Sequence, residues 1–164
     1  MTDDEAGVAR FDTLPDNAAT TALLACCAAP ALARALIEGR PYASVEALLD
    51  AADAVLAELP ESEIDLALAG HPRIGERPAS AVSAGEQAGV QDAVRAALAD
   101  GNRAYEARFG HIYLVCASGR SGDELLAILE ARLHNDADTE RRVMRTELAK
   151  INRIRLRGML RDLR

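Results

Sequence analysis

His111-Ile112-Tyr113-Leu114-Val115-Cys116-Ala117 decides the fold class. It is the one apolar, partly β-branched run in the chain of 164 residues that suits a buried strand. A strand needs a neighbour to pair its N–H and C=O groups, and no second run of this kind exists. The stretch is therefore expected to be extended and buried, outside any sheet. Immediately downstream, Ser121 and Glu124 form a capping-box pattern that opens a helix to about residue 133, and a long helix is expected over 138–160.

Upstream, punctuation cuts the chain into short helices. Residues 16–28 carry Leu23, Leu24 and Cys27 at helical spacing. Pro30 and Gly39 bracket a helix over 31–38 as first-turn and C-terminal signals. Arg40-Pro41-Tyr42 makes a turn. Ser44 then caps a helix whose stripe, Val45, Leu48, Leu49, Ala52, Val55, Leu56 and Leu59, ends at Pro60. A short helix follows over 62–69. Gly70-His71-Pro72-Arg73-Ile74-Gly75-Glu76-Arg77-Pro78 breaks the rhythm and predicts an irregular segment with fixed turns. Helix resumes over 83–108, with a possible break at Gly101. The expectation is one all-α domain over 1–164, of about eight helices, with residues 1–10 a flexible N-terminus.

Composition agrees and excludes several classes. Alanine occurs 34 times and tryptophan not at all, which favours helices. No run of 18 apolar residues exists and the acidic start lacks a signal-peptide layout, so neither a membrane span nor a secretory leader is expected. Three cysteines, Cys26, Cys27 and Cys116, form no disulfide framework and suit a reducing, cytoplasmic setting. Net charge is −7 overall, but residues 1–70 carry −10 and the last 24 residues +7. That basic tail lacks aromatics for base stacking, so nucleic acid is not the expected partner. It is expected to pack beside the acidic N-terminal half, or to lend one arginine to an anionic ligand. On a helix Arg153 and Arg157 share a face, whereas Arg155 projects about 200° away, beside Leu148, Ile151 and Ile154.

His71 is the most informative residue. Lying between a glycine and a proline, it is excluded from regular helix, and imidazole suits proton transfer near neutral pH. His111 and His134 are expected to be structural. Ser83, Glu86 and Gln87 fit a helix cap, and equally a cluster able to hold a polar ligand at a helix N-terminus. No metal-ligand spacing appears. Ser118-Gly119-Arg120-Ser121-Gly122 lacks the Gly-Lys-Ser/Thr of a phosphate loop.

In order along the chain, the pieces are Phe11, Ala25-Cys26-Cys27, Arg40-Pro41-Tyr42 and His71-Pro72-Arg73-Ile74-Gly75-Glu76. They continue with Ser83-x-x-Glu86-Gln87-Ala88-Gly89, Asn102-x-x-Tyr105, Arg108-Phe109-Gly110, residues 113–117 and Lys150-Ile151-x-x-Ile154-Arg155-Leu156. Together they resemble the 2-oxo-4-hydroxy-4-carboxy-5-ureidoimidazoline (OHCU) decarboxylases of urate degradation. The His71–Ser83 loop is shorter than in the animal enzymes, and Phe109-Gly110-His111-Ile112-Tyr113 is closer to the bacterial branch. The resemblance implies an all-helical homodimer that makes (S)-allantoin from a small ureide without metal or organic cofactor. It implies His71 and Glu86 as catalytic residues. Pro72, Ser83, Glu86, Gln87, Tyr113, Leu114, Val115, Cys116, Ala117 and Arg155 would bind the substrate. A ureide-binding module without turnover would need the binding groups but not His71 and Glu86 together; a purely structural helical adaptor would need neither.

Overall fold

The computed structural model describes residues 2–75 and 92–164. Its elements, among the described residues, are eight helices and no strand: α1 (Asp3–Thr13), α2 (Asp16–Cys26), α3 (Pro30–Glu38), α4 (Val45–Glu58), α5 (Glu61–Ala69), α6 (Asp92–Phe109), α7 (Gly122–Arg132) and α8 (Ala137–Leu163). The protein is all-α. None of these helices is long and apolar enough to cross a membrane. The chain groups into two compact units. One comprises the residues to Gly70 with Ala149–Arg164, and the other His71–Leu148.

In the first unit the expected punctuation holds. Pro30 occupies the first turn of α3, and the Ser44 side chain accepts from the Ala47 N–H to cap α4. The helices bury Phe11, Leu36, Leu48, Leu49, Ile64, Leu156 and Leu160. Arg40 staples the end of α1: its Nη1 donates to the carbonyls of Phe11 and Leu14, both at 2.8 Å, and its guanidinium lies over the Phe11 ring. The Phe11 carbonyl also accepts from the Leu14 N–H at 3.2 Å, so the arginine adds a second donor there and replaces water at the helix C-terminus. The Arg40-Pro41-Tyr42 motif is thus a packing device.

Residues 1–10, expected to be flexible, are instead largely helical. Thr2 and Glu5 form a capping box, and Gly7, Val8 and Phe11 are buried. The signal was present as Thr2-x-x-Glu5, hidden within an acidic run. Gly7 is where α1 meets α8: a Cβ there would run into the Leu160 carbonyl.

The second unit is built on α6 and α7, with Ile74, Leu98, Tyr105, Tyr113, Val115, Leu125 and Leu129 in one core. α6 runs unbroken through Gly101, whose missing side chain makes room for Leu129. Ser121 and Glu124 form the expected capping box on α7. Residues 112–117 are extended and belong to no sheet, and Tyr113, Leu114, Val115 and Ala117 are buried.

Gly7→Ala separates packing from helix propensity. Propensity alone would stabilise the variant by about 0.5–1 kcal/mol, whereas collision with the Leu160 backbone should cost about 1–3 kcal/mol. A urea unfolding midpoint below that of the wild type is expected; a higher midpoint would contradict the α1–α8 contact.

Candidate active site

A peptide run without a sheet must satisfy its polar groups by other means. Here buried charged side chains do so at the Leu114 carbonyl and the Cys116 N–H. Arg132 Nη1 donates to the Leu114 carbonyl at 2.7 Å, and Arg132 Nε donates to Glu140 at 2.7 Å. The Tyr105 hydroxyl donates to the same carboxylate at 2.5 Å, and the Arg132 guanidinium stacks over the Tyr113 ring at 4.9 Å. Arg132 is 5% exposed and Glu140 fully buried, so each charge depends on the other. Burial disfavours the Arg132 charge, but the hydrogen bond and charge of Glu140 more than offset it and raise its pKa. Burial raises the Tyr105 and Tyr113 hydroxyls well above the usual phenol range, so both stay neutral donors. Tyr113 donates to the Leu125 carbonyl at 2.9 Å.

Farther along the run, the Cys116 N–H donates to the buried Glu147 at 3.3 Å, and Arg120 approaches that carboxylate at 3.5 Å. The N–H groups of Tyr113, Leu114, Val115 and Ala117 have no acceptor among the described residues. These four N–H groups lie on a run fastened at Leu114 and Cys116, an arrangement that suits the oxygens of a polar ligand.

The His71 loop shares this core through Ile74. His71 and Pro72 are half-buried, and His71 Nε2 is shielded from solvent. Arg73 meets Glu106 in a bidentate ion pair, with Nε at 2.9 Å and Nη2 at 2.8 Å from the two carboxylate oxygens. The Arg73 hydrogen bond holds the Glu106 carboxyl below its ordinary range. The pair is therefore ionised at neutral pH and is lost only as pH falls through that lowered value. His111 is structural, as expected: its ring packs edge-on against Tyr105 at 5.5 Å, and Nδ1 lies 3.0 Å from the Ile112 carbonyl oxygen. The Ser118–Gly122 stretch is a turn and a helix cap. Gly119 takes φ +77°, and the Arg120 N–H donates to the Ala117 carbonyl.

Arg155 belongs to the first unit. It is half-buried, and its Nη1 donates to the Cys26 carbonyl at 3.3 Å. Its neighbours differ as the helical angles predict. Arg153 is held by Asp53 at 2.8 Å and Asp50 at 2.7 Å, and Arg157 by Glu46. The basic tail therefore does pack against acidic residues of the N-terminal half, through Arg153 and Arg157. Ser83, Glu86 and Gln87, with Gly85 and Gly89, lie outside the described residues. Arg132, Glu140 and Glu147 were missed in the sequence. Their signal was position: Arg132 continues the Leu125–Leu129 stripe, and Glu140 and Glu147 share the apolar face of Met144 and Leu148.

Comparison with known proteins places this helical protein among the decarboxylases. The chain belongs to the OHCU decarboxylase family, whose family model matches residues 12–157. It is 28% identical over 148 residues to the uric acid degradation bifunctional protein TTL of Arabidopsis thaliana, covering 84% of this chain and 46% of that protein. It is 31% identical over 141 residues to the 2-oxo-4-hydroxy-4-carboxy-5-ureidoimidazoline decarboxylase of Amia calva, covering 80% of this chain and 81% of that one. The chain thus spans about half the length of the first relative. In fold it is similar to a crystal structure of OHCU decarboxylase in the presence of (S)-allantoin, with TM-score 0.76, 23% identity and coverage of 90% of this chain and 99% of that chain. It is also similar to a crystal structure of (S)-allantoin synthase, with TM-score 0.73, 18% identity and coverage of 93% and 53%.

The thiols beside Arg155 are not poised for nucleophilic chemistry. Burial pushes Cys26 up to about 12, against the opposing charge of Arg155, and likewise raises Cys27. At pH 8 Cys26 is therefore held as the neutral thiol. A thiol reagent with peptide mapping should leave Cys26 and Cys27 of the folded protein unlabelled and modify all three cysteines after denaturation. Rapid native labelling at Cys26 would show that α2 is not packed as described.

Proposed function

We propose that the protein is a cofactor-independent carboxy-lyase that converts OHCU to (S)-allantoin and CO2 in urate catabolism. Membership of the family supports the reaction. The observation in this chain that carries it is the sheetless run 113–117, with four N–H groups that have no acceptor among the described residues, in the core that the His71 loop joins through Ile74.

The chemistry asks for little more. When the bond to the carboxylate breaks, its electron pair enters the ring, where the adjacent imine accepts it, so the substrate serves as its own electron sink. The resulting enolate-like ring needs hydrogen-bond donors at its oxygens and one proton at carbon. The N–H groups of Tyr113, Leu114, Val115 and Ala117 are the donors, already fixed and requiring no reorganisation as charge develops. His71 is the acid/base and delivers the proton to one face, which yields a single enantiomer. Arg155, by family resemblance, supplies a planar fork for a carboxylate or ureido oxygen, and Pro72 and Cys116 line the substrate. By family resemblance, Glu86 assists catalysis, and Ser83 and Gln87 hold the ureido group. That resemblance also supports a homodimer, and the buried free thiols suit a cytoplasmic setting.

The assay generates the substrate in place from urate with the two preceding enzymes and follows product by circular dichroism. The (S)-allantoin signal should grow faster with the protein than without it; equal rates would sink the proposal, and ureide binding without turnover would favour a binding module. His71→Asn should keep the helical spectrum and lose kcat by more than about tenfold. A folded variant retaining more activity would remove His71 from proton transfer.

The tail arginines give an independent check. Arg155→Lys loses bidentate geometry and should raise KM about tenfold. Arg153→Lys and Arg157→Lys only loosen surface pairs and should leave KM near the wild-type value. Equal effects at all three positions would make Arg155 an ordinary surface charge.

A further inference from the structure

Asn102 has no role in the chemistry above, yet it is only 3% exposed and carries a fully polar amide. A buried amide persists where its hydrogen bonds do something an apolar side chain could not. Its Nδ2 donates to the Ile74 carbonyl at 2.8 Å. One helical stripe of α6 repeats this pattern. Arg95 Nη1 donates to the Gly75 carbonyl at 2.7 Å, and Glu106 grips Arg73 through two hydrogen bonds. Arg95, Asn102 and Glu106 fall within an arc of about 40° around the helix. Leu98, between them, packs with Ile74 in the core.

The three consecutive residues Arg73, Ile74 and Gly75 are therefore each fastened to α6, in reverse order along it. Gly75 takes φ +91°, and a Cβ there would press on Leu98 at 3.2 Å, so the chain lies directly against the helix. Between the first fastened residue and His71 stands only Pro72, whose ring fixes φ. An imidazole joined through a proline to an immobilised tripeptide has little backbone freedom left.

We propose that Asn102, seconded by the Glu106–Arg73 pair, is a positioning residue for His71, setting where its imidazole stands for proton delivery. The inference rests on the catalytic role of His71 proposed above. Asn102 acts at one remove and touches no reacting atom. A small displacement of a catalytic group costs up to about a hundredfold in rate, so the loss should appear in kcat and not in KM.

The test pairs steady-state kinetics with NMR of the histidine rings, of which the chain has three; His71→Asn assigns the His71 signal. Asn102→Ala should lower kcat about 10–100-fold with KM within about twofold. It should also move the His71 ring signals and their titration midpoint while His134 stays in place. Glu106→Ala, a partly exposed change that does not threaten folding, should do the same to a smaller extent. A folded Asn102→Ala with wild-type kcat or unmoved His71 signals overturns the proposal. So do His134 signals that shift along with His71, since these would mean general loosening. If Asn102→Ala does not fold, Glu106→Ala decides on the same terms. The NMR arm reads the clamp even in a protein without decarboxylase activity, so failure of the clamp and failure of the reaction are distinguishable.

Discussion

The buried Arg132–Glu140 pair is the interaction on which the second unit depends. A guanidinium and a carboxylate removed from water are each costly, and either one left alone would cost several kcal/mol. Together with the Tyr105 hydroxyl they form a hydrogen-bonded network that holds the Leu114 carbonyl. That bond is one fastening of residues 112–117, which pass through the core with no strand beside them. Glu147 secures the same run two residues on, at the Cys116 N–H. The N–H groups without an acceptor among the described residues are the ones we propose to meet a ligand.

The same economy governs the His71 loop. Neither segment is regular secondary structure, and both are held by side chains reaching from helices. Irregular backbone can present N–H groups and an imidazole in directions that helix and sheet do not allow. It does so reproducibly only when a rigid scaffold dictates its path. α6 is that scaffold on the loop side: its apolar residues make the core and its polar stripe makes the fastenings.

Much of this was legible in the sequence where the signal is local. Pro30, Ser44, Pro60 and the Ser121–Glu124 box mark helix ends because capping chemistry involves neighbours within a turn. The lone apolar run read correctly as extended because an unpartnered strand is physically excluded. Arg155 was set apart from Arg153 and Arg157 by angle alone, and their partners bear that out. Non-local satisfaction was not legible. Nothing near Glu140 or Glu147 says that a peptide group distant in sequence will need them, and Asn102 reveals its purpose only once Ile74 lies against it. The helix α1 was missed for a different reason: its capping box sits within a run of acids that reads as a solvated terminus.

The N–H groups of Tyr113, Leu114, Val115 and Ala117, which have no acceptor among the described residues, are proposed to bind the ligand. Amide-resolved NMR during titration with (S)-allantoin tests this most directly, since product and substrate share the ring and ureido oxygens. Saturable shifts at Tyr113, Leu114, Val115 and Ala117, with a weaker response at Cys116 because Glu147 already occupies it, are the predicted result. Saturable shifts elsewhere in the protein with this run unmoved would contradict the account.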